Sequence, residues 1–241
     1  MTAVGLASRT ALVTGASRGI GAEIARSLSA SGARVALLAR NADALNTLAA
    51  EIGGRSLPVR CDVTDAASVA AAAAVVRSEF GEAPHIIVNN AGFFRVSPLE
   101  SMTPEEFVGS VETNLVAPFL VINAFLREMR ERKDGHVVTI GSLGDRTIFP
   151  GNGAYSASKF GLRAMHEVLL AETRGTGVRA TLISPSSVDT SLWDPIDTDG
   201  ETTPFPARAS MLRPKAIAEA VLYALAQPPT VNVDELRLSS S

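Results

Sequence analysis

The chain has 241 residues, a formal net charge of −3 and a single cysteine, Cys61. Its length suits one α/β domain with a substantial core, and its scattered basic residues disfavour nucleic acid or an anionic membrane as a partner. The single cysteine excludes an internal disulfide, and the first ten residues lack the charged and apolar regions of a secretory signal. We therefore expect one cytoplasmic domain over residues 1–241.

Short β-rich segments alternate with longer, alanine-rich helical segments, which is the pattern of repeated βαβ units. Several of the short segments are apolar on both faces, as buried parallel strands are. The predicted strands are residues 10–15, 34–40, 57–63, 85–90, 136–142, 178–184 and 235–240. The predicted helices are residues 19–31, 41–52, 65–80, 104–132 with a break, 153–174 and 214–226. The sequence therefore predicts a parallel sheet covered by helices.

The segment 14–21, TGASRGIG, follows the first predicted strand and opens a helix. Gly15 allows a tight turn, Gly19 lets backbone approach a ligand, and Gly21 lets the helix pack near the strand, so that N–H groups face a pyrophosphate. The spacing G-x-x-x-G-x-G differs from the G-x-G-x-x-G fingerprint. A glycine-rich turn without a ligand is therefore the alternative for this segment alone.

Two further segments differ from the regular pattern. Residues 115–126 are apolar nearly all round, whereas a helix that covers a sheet needs only an apolar stripe, so we expect this segment to contact another subunit. The same run is too short to cross a bilayer and contains Pro118 and Asn123, so no membrane helix is predicted. Residues 184–214 are rich in Pro, Asp and Thr, and we expect a long mobile loop that serves as a substrate lid.

Tyr155 and Lys159 lie four residues apart in AYSASKFG, which is predicted to be helical. Positions i and i+4 share one face of a helix, so the ammonium would lie beside the phenol. A nearby positive charge lowers the pKa of a tyrosine toward the range where proton transfer is useful. For this octapeptide alone, a packed ring beside a solvated charge is the alternative.

Six short motifs occur in order along the chain: TGASRGIG at 14–21, CDVT at 61–64, NNAG at 89–92, TNL at 113–115, GS at 141–142 and YSASK at 155–159. Each motif is weak or moderate alone, but all six in this order and at these spacings are very specific. The sequence resembles the short-chain dehydrogenase/reductase family in its short, single-domain form, over nearly the whole chain. The resemblance implies a Rossmann-type, doubly wound α/β domain with a mostly parallel seven-stranded sheet and no metal ion.

The resemblance implies a catalytic set of Asn114, Ser142, Tyr155 and Lys159. Ser142 would hydrogen-bond the substrate oxygen, and Tyr155 would be the general acid in carbonyl reduction and the general base in alcohol oxidation. Lys159 would lower the pKa of Tyr155 and hold the nicotinamide ribose. Asn114 would anchor a water that relays protons to Lys159.

The resemblance also implies cofactor contacts. Asp62, beside Val63, would bond adenine unless it only caps a helix, and Thr190 would hold the nicotinamide carboxamide. Ser186 stands where the family usually has glycine, which puts the shape of the substrate pocket in doubt. The predicted cofactor-binding residues are Gly15, Ser17, Arg18, Gly19, Ile20, Gly21, Arg40, Asp62, Val63, Asn89, Ala91, Gly92, Tyr155, Lys159, Pro185, Val188 and Thr190.

The end of the second predicted strand indicates the coenzyme. NAD enzymes of this fold carry an acid there that bonds the adenine ribose, and this chain has Ala39 instead. Arg40 follows it and Arg18 lies in the glycine loop, so two guanidinium groups can converge on a 2′-phosphate, which arginine binds bidentately. We expect NADP(H), with two unliganded surface arginines as the alternative.

The residues predicted to line the substrate pocket suit a ketone with a hydrophobic body, although the same residues would also serve to pack the lid. They are Phe93, Phe94, Leu143, Phe149, Leu192 and Trp193. Arg95 and Arg146 are candidates to pair with a substrate carboxylate, and the ending QPPTVNVDEL is similar to that of family members that oxidise short 3-hydroxy acids.

The sequence thus predicts a homo-oligomeric, tetrameric or dimeric, NADP(H)-dependent oxidoreductase. It would transfer hydride between nicotinamide and the carbon of a small secondary alcohol or ketone. The main alternative is a nicotinamide-binding, redox-sensing regulator without turnover. A third alternative, a sugar-nucleotide epimerase or dehydratase of the related longer fold, would need further C-terminal residues.

Overall fold

A seven-stranded sheet forms the centre of the molecule in the computed structural model, which describes residues 5–196 and 205–241. The strands are β1 Thr10–Thr14, β2 Arg34–Ala39, β3 Ser56–Arg60, β4 Ile86–Asn89, β5 Gly135–Ile140, β6 Val178–Pro185 and β7 Glu235–Leu238. Every neighbouring pair is parallel, in the spatial order β3-β2-β1-β4-β5-β6-β7. Chain order reverses between β1 and β4, where doubly wound folds bind ligands outside the carboxyl ends of the strands.

Helices cover both faces of the sheet and enclose two apolar cores. The helices are α1 Gly19–Ala30, α2 Ala42–Ile52, α3 Ala66–Phe80, α4 Pro104–Val111, α5 Ala117–Arg132, α6 Gly153–Thr173 and α7 Pro214–Leu225. One core contains residues of α1, α2 and α7, such as Ile24 and Ile217. The other contains residues of α3, α5 and α6, such as Val76 and Phe125. The predicted doubly wound α/β fold is confirmed.

The predicted break in helix 104–132 is a π-helical turn, Glu112–Val116, that joins α4 to α5 without interrupting the helix. Its widened geometry is closed by the Ala117 N–H, which donates to the Glu112 carbonyl. Pro118 follows directly, and an α-helical turn there would push its ring against the carbonyl four residues earlier. The turn therefore accommodates the proline and places Asn114 inside the irregularity.

The continuous helix Pro104–Arg132 is long and apolar enough to cross a membrane, by length and composition only. The sequence-based expectation considered only the apolar run 115–126, which is too short to cross a bilayer and contains Pro118 and Asn123. Length alone does not make a membrane span, since the core helix of a soluble protein passes the same test. Here Val121, Phe125 and Met129 pack into the core beside the sheet.

Two predicted boundaries differ from the structure for local reasons. Strand β3 ends at Arg60 rather than at residue 63, because the Asp62 carboxylate accepts hydrogen bonds from Thr64 N at 3.1 Å and Thr64 Oγ1 at 2.8 Å and turns the chain. The segment predicted to be irregular over 184–214 is slightly shorter in the structure, because β6 continues to Pro185 and α7 begins at Pro214.

The described parts of segment 184–214 are held by specific contacts. Val188 and Leu212 form a parallel bridge, and the Asp189 carboxylate pairs with Arg208 at 2.6 Å and with Arg213. Short helical turns occur at Ser191–Trp193 and Arg208–Ser210. Residues 197–204 of the predicted lid lie outside the described residues, and its role as a lid stays a prediction.

Candidate active site

Loops at the carboxyl ends of β1, β2, β4, β5 and β6 enclose two adjoining cavities. The glycine-loop cavity, about 490 Å³, lies over β1 and β2, and the catalytic cavity, about 330 Å³, lies over β5 and β6. The two share walls formed by Ile20, Asn90, Gly92, Phe93, Thr190 and Leu192. Together they form one crevice at the topological switch point.

The glycine loop needs its glycines for backbone shape and for close packing. Gly15 and Gly19 have φ values of 63° and 56°, which side chains disfavour. A Cβ on Gly19 would lie 3.2 Å from Thr190, across the crevice. A Cβ on Gly21 would overlap the Gly15 carbonyl oxygen, so Gly21 permits packing of the helix against the turn and does not itself line either cavity.

The glycine-loop cavity carries two arginines, Arg18 and Arg40, with Ala39 beside them. Within the described residues, neither arginine has a carboxylate partner within 4.0 Å. Asp62 lines the same cavity, where hydrogen bonds from Thr64 lower the pKa of its carboxyl and the Arg40 charge lowers it further. This end of the crevice therefore has positive charge available for an anionic group.

The turn after β4 is held by Asn90 rather than by the predicted Asn89. Asn90 Nδ2 donates to the Thr14 and Gly15 carbonyls, at 3.0 and 3.3 Å, and Asn90 lines both cavities. The Asn89 amide is buried with no hydrogen-bond partner among the described residues and lines neither cavity. Strand β4 ends at Asn89, so Asn90 is the first residue beyond the strand and enters the crevice, while Asn89 stays buried in the sheet.

Ser142, Tyr155 and Lys159 converge on the catalytic cavity from two elements. Ser142 follows β5, and Tyr155 and Lys159 lie on successive turns at the start of α6. Lys159 is buried, and its Nζ donates to the Ile140 carbonyl at 3.0 Å and lies 5.8 Å from the centroid of the Tyr155 ring. The pattern of i and i+4 positions thus places a phenol, an ammonium and a hydroxyl together.

Burial changes the pKa of both α6 residues, in opposite directions. It lowers the pKa of Lys159 to about 8 and raises that of Tyr155 to about 12, because each charged form is poorly solvated. A hydrogen bond with Ser142 lowers the pKa of Tyr155 but does not offset burial. The expectation that Lys159 lowers the pKa of Tyr155 is wrong for the chain by itself. The ammonium donates to the Ile140 carbonyl, and desolvation is the largest influence on the phenol.

Asn114 is fully buried in the π-helical turn and lines neither cavity. Its Oδ1 accepts from Phe93 N at 2.8 Å, and its Nδ2 donates to Phe93 O at 2.8 Å and to Ser158 Oγ at 3.0 Å. These bonds join the wall after β4 to helix α6, next to Lys159. The Asn114 side chain therefore fixes the position of Phe93 in the cavity wall relative to α6, without itself reaching the cavity.

An aromatic cluster closes the catalytic cavity above Tyr155. The Phe94 ring meets the rings of Tyr155 and Trp193 edge to face, with centroids 4.8 and 5.2 Å apart. Phe205 contacts Phe149 and Trp193 in the same manner, at 5.3 and 5.4 Å. All six residues predicted to line the pocket do so, whereas Phe205 was missed because its irregular segment carries no periodic signal.

The segment after β6 forms the remaining wall. Pro185, Ser186, Val188 and Thr190 all line the catalytic cavity. Lys133 is the one residue other than glycine with positive φ in the described chain, so the backbone at Ser186 does not require glycine. The serine is accommodated without strain, and its N–H donates to the Leu238 carbonyl at 2.7 Å.

The two arginines considered for a substrate carboxylate are occupied elsewhere. Arg95 pairs with Glu106 at 2.8 Å, and Arg146 pairs with Asp145 at 2.6 Å and with Glu235. Neither lines the catalytic cavity, where Lys159 is the one cationic side chain among the described lining residues. Asn232, in the ending once compared with hydroxy-acid enzymes, bonds the Ala180 backbone near the amino end of β6. The hydroxy-acid hypothesis therefore has no support in this geometry.

A sequence profile of the short chain dehydrogenase family matches residues 9–201. The chain belongs to this family. One relative is D-threitol dehydrogenase of Mycolicibacterium smegmatis, 41% identical over 78% of this chain and 75% of that protein.

Two solved short-chain dehydrogenase structures carry nicotinamide cofactors. An alcohol dehydrogenase from the archaeon Thermococcus sibiricus, complexed with 5-hydroxy-NADP, has a TM-score of 0.84 and 32% identity over 95% of both chains. A metagenomic short-chain oxidoreductase in complex with NADP also has a TM-score of 0.84, with 33% identity over 98% of this chain and 99% of that one. The family places this chain among the NAD(P)-dependent oxidoreductases.

Proposed function

We propose that the protein is an NADP(H)-dependent oxidoreductase that interconverts a secondary alcohol and a ketone, with Tyr155 as general acid and base. The observation that carries the proposal is the convergence of Ser142, Tyr155 and Lys159 on an apolar cavity that continues into the glycine-loop cavity. A substrate carbon in the first cavity would lie next to a cofactor in the second. A regulator that only binds cofactor has no need of the phenol, the hydroxyl and the ammonium at this junction.

The residues of the crevice fit a dinucleotide. A Cβ on Gly19 would lie 3.2 Å from Thr190, so glycine at this position keeps the crevice open, and the N-terminus of α1 would present backbone N–H groups to a pyrophosphate. Ser17, Gly19, Val63 and Ala91 would form the contacts toward the pyrophosphate and adenine, and Lys159 and Thr190 those toward the nicotinamide half. When bound there, the nicotinamide would supply or accept the hydride.

The chain's own residues then handle the oxygen and its proton. In the reducing direction, the Ser142 hydroxyl donates a hydrogen bond that holds the substrate carbonyl, and Tyr155 transfers its phenolic proton to the oxygen as charge develops there. The raised pKa of Tyr155 keeps the phenol protonated at neutral pH, which is the form that a general acid requires. Lys159 supplies positive charge beside the phenolate that results.

The coenzyme preference rests on Arg18 and Arg40. Both line the glycine-loop cavity, and Ala39 offers no carboxylate to the adenine ribose. Guanidinium groups bind phosphate oxygens bidentately and stay charged, so this end of the crevice favours a 2′-phosphate. The two solved relatives with NADP and 5-hydroxy-NADP agree with this preference.

The test uses purified protein, NADPH or NADH, and a panel of ketones, β-keto esters, keto acids, quinones and sugars. We expect NADPH oxidation with ketones that carry an apolar body, because the aromatic cluster lines the catalytic cavity. Preferred turnover of keto acids would contradict the substrate part of the proposal. Tight NADPH binding without turnover of any substrate class would favour the redox-sensing regulator instead.

The protein should assemble into a homo-oligomer, a tetramer or dimer, through α5 and α6. Three large apolar side chains on these helices are exposed in the single chain, Phe119 on α5 and Phe160 and Val168 on α6, at 50%, 44% and 55%. Light scattering should give a multiple of 25.1 kDa at micromolar concentration. The double variant Phe119→Glu with Val168→Glu should have a lower mass than the parent assembly. Val75→Glu, at an exposed position of α3, should not change the mass. A monomeric parent protein would contradict the prediction.

We place the protein in the cytoplasm. Cys61 is the sole cysteine, and its thiol is buried, which suits a compartment where thiols stay reduced. Burial raises the pKa of that thiol and keeps it unreactive.

A further inference from the structure

Asp145 is a fully buried carboxylate next to the catalytic residues, at the end of the short helical turn Leu143–Asp145. Its Oδ1 accepts from Arg146 Nε at 2.6 Å, and its Oδ2 accepts from Arg146 Nη2 and from Ser184 Oγ, both at 3.2 Å. A buried charge is tolerated when partners of this kind satisfy it. Asp145 is therefore fixed by its chain neighbour Arg146 and by Ser184 of β6.

The turn that ends at Asp145 also carries Ser142 and contacts Tyr155. Asp145 N donates to the Ser142 carbonyl at 3.1 Å, and Gly144 N donates to Ser142 Oγ at 3.0 Å. A Cβ on Gly144 would lie only 2.9 Å from Tyr155 Cε1, so the turn packs directly against the ring. A displacement of Asp145 would move both the serine hydroxyl and the surface on which the phenol rests.

Arg146 extends this arrangement to the end of the sheet. Its Nη2 also donates to the carboxylate of Glu235, the first residue of β7. Strand β7 pairs with β6, which supplies Ser184. The active-site turn is thus tied through Arg146 to the last strand and through Ser184 to its neighbour.

We propose that Asp145 is a positioning residue for the Ser142–Tyr155 pair, anchoring the turn that carries Ser142 through Arg146 and Ser184 to β6 and β7. This inference rests on the proposed function, in which Ser142 and Tyr155 touch the substrate. It also gives the pair formed by the buried Asp145 and the partly exposed Arg146 a role in place of substrate binding.

The same carboxylate acts electrostatically on the catalytic groups. After burial, Asp145 is the charge that raises the pKa of Tyr155, and it also raises that of Lys159. The charged groups around the site are Lys159 on α6, Arg146 against Asp145, and Glu235 of β7 against Arg146; β6 supplies the neutral Ser184. Removal of the Asp145 charge should therefore lower the pKa of the Tyr155 phenol.

The chain allows a direct measurement, because it has only two tyrosines, Tyr155 and the half-exposed Tyr223 of α7. In a Tyr223→Phe background, the ultraviolet absorbance of phenolate reports Tyr155 alone. Alkaline titration, with circular dichroism at each pH to verify the fold, should show that Asp145→Asn lowers the midpoint by about one pH unit.

Two further variants separate this effect from damage to the fold. Asp145→Asn with Arg146→Gln replaces the ion pair by two amides, which is better tolerated than a buried charge without its partner, and it should lower the midpoint likewise. Glu235→Gln loosens Arg146 but leaves the Asp145 charge, and it should lower thermal stability without moving the midpoint. An unchanged midpoint in both Asp145 variants, together with near-ultraviolet circular dichroism identical to that of the parent, would overturn the proposal, because neither the charge near the phenol nor its packing would then have changed.

The titration needs no substrate, so its outcome is independent of the proposed reaction. A shifted midpoint in a protein that reduces no carbonyl compound would leave the role of Asp145 intact and reject the function. Turnover of a carbonyl compound together with an unchanged titration midpoint in the Asp145 variants would support the function and reject the role of Asp145.

Discussion

Replacing Tyr155 with phenylalanine should reduce carbonyl turnover by roughly a hundred- to ten-thousand-fold, the usual contribution of a general acid. The substitution removes the transferable proton and little volume. The ring would still pack edge to face on Phe94, 4.8 Å away between centroids, so the cavity should keep its shape. The measurement is kcat with the best ketone of the panel, together with titration of NADPH binding by fluorescence.

The matched control is Tyr223→Phe, the same chemical change at the other tyrosine of the chain, which is exposed on α7 and lines neither cavity. It should leave kcat unchanged. If Tyr155→Phe also keeps near-parent turnover, the proton comes from another group and the catalytic assignment fails. A loss of NADPH binding would instead show that the phenolic hydroxyl serves the cofactor site.

Arg40→Asp should decrease kcat/KM for NADPH far more than kcat/KM for NADH. A charge-assisted hydrogen bond contributes about 1.5 to 3 kcal/mol, and each 1.4 kcal/mol corresponds to about a factor of ten, so the parent should prefer NADPH at least tenfold. The new carboxylate would repel a 2′-phosphate and bond a ribose hydroxyl, as acids at this strand end do. Steady-state kinetics with both coenzymes measures the ratio.

Arg127→Asp is the control for net charge, because Arg127 is an exposed arginine of α5 that lines neither cavity. The Arg127→Asp variant should have the same ratio of kcat/KM for NADPH to kcat/KM for NADH as the parent. Arg18→Gln should also lower kcat/KM for NADPH, as Arg40→Asp does, since both guanidinium groups line one cavity. Equal or better use of NADH by the parent enzyme would refute the assignment.

Much of the fold could be predicted from local pattern. Apolar runs bounded by glycine or polar residues located all seven strands to within a few residues, because buried parallel strands must be apolar on both faces. The helices predicted at 41–52 and 65–80 begin one residue later in the structure, because Asn41 and Asp65 are N-caps whose side chains accept bonds from the first turns of α2 and α3. Motif order along the chain identified the family, which the profile match over residues 9–201 confirms.

The structure altered predictions that depended on environment. The phenol of Tyr155 has a raised pKa rather than a lowered one, because burial outweighs a lysine whose ammonium is bonded to Ile140. Arg146 faces two carboxylates rather than a substrate. Desolvation and ion pairing depend on neighbours in space, many of which are distant in sequence. The spacing of residues along the chain therefore does not predict them.

Local residue patterns were enough to predict which chemical groups the chain carries and on which elements they lie: the glycine loop after β1, Arg18 in that loop and Arg40 after β2, and Tyr155 and Lys159 on one helix. Which of these groups share a surface depends on how the strands and helices pack. Packing placed Asn90 in the crevice and left Asn89 buried, brought Phe205 over the catalytic cavity, and set the turn that ends at Asp145 against Tyr155. Side-chain identity is local, whereas burial, facing and charge pairing arise only when the strands pack in parallel order and their carboxyl ends meet.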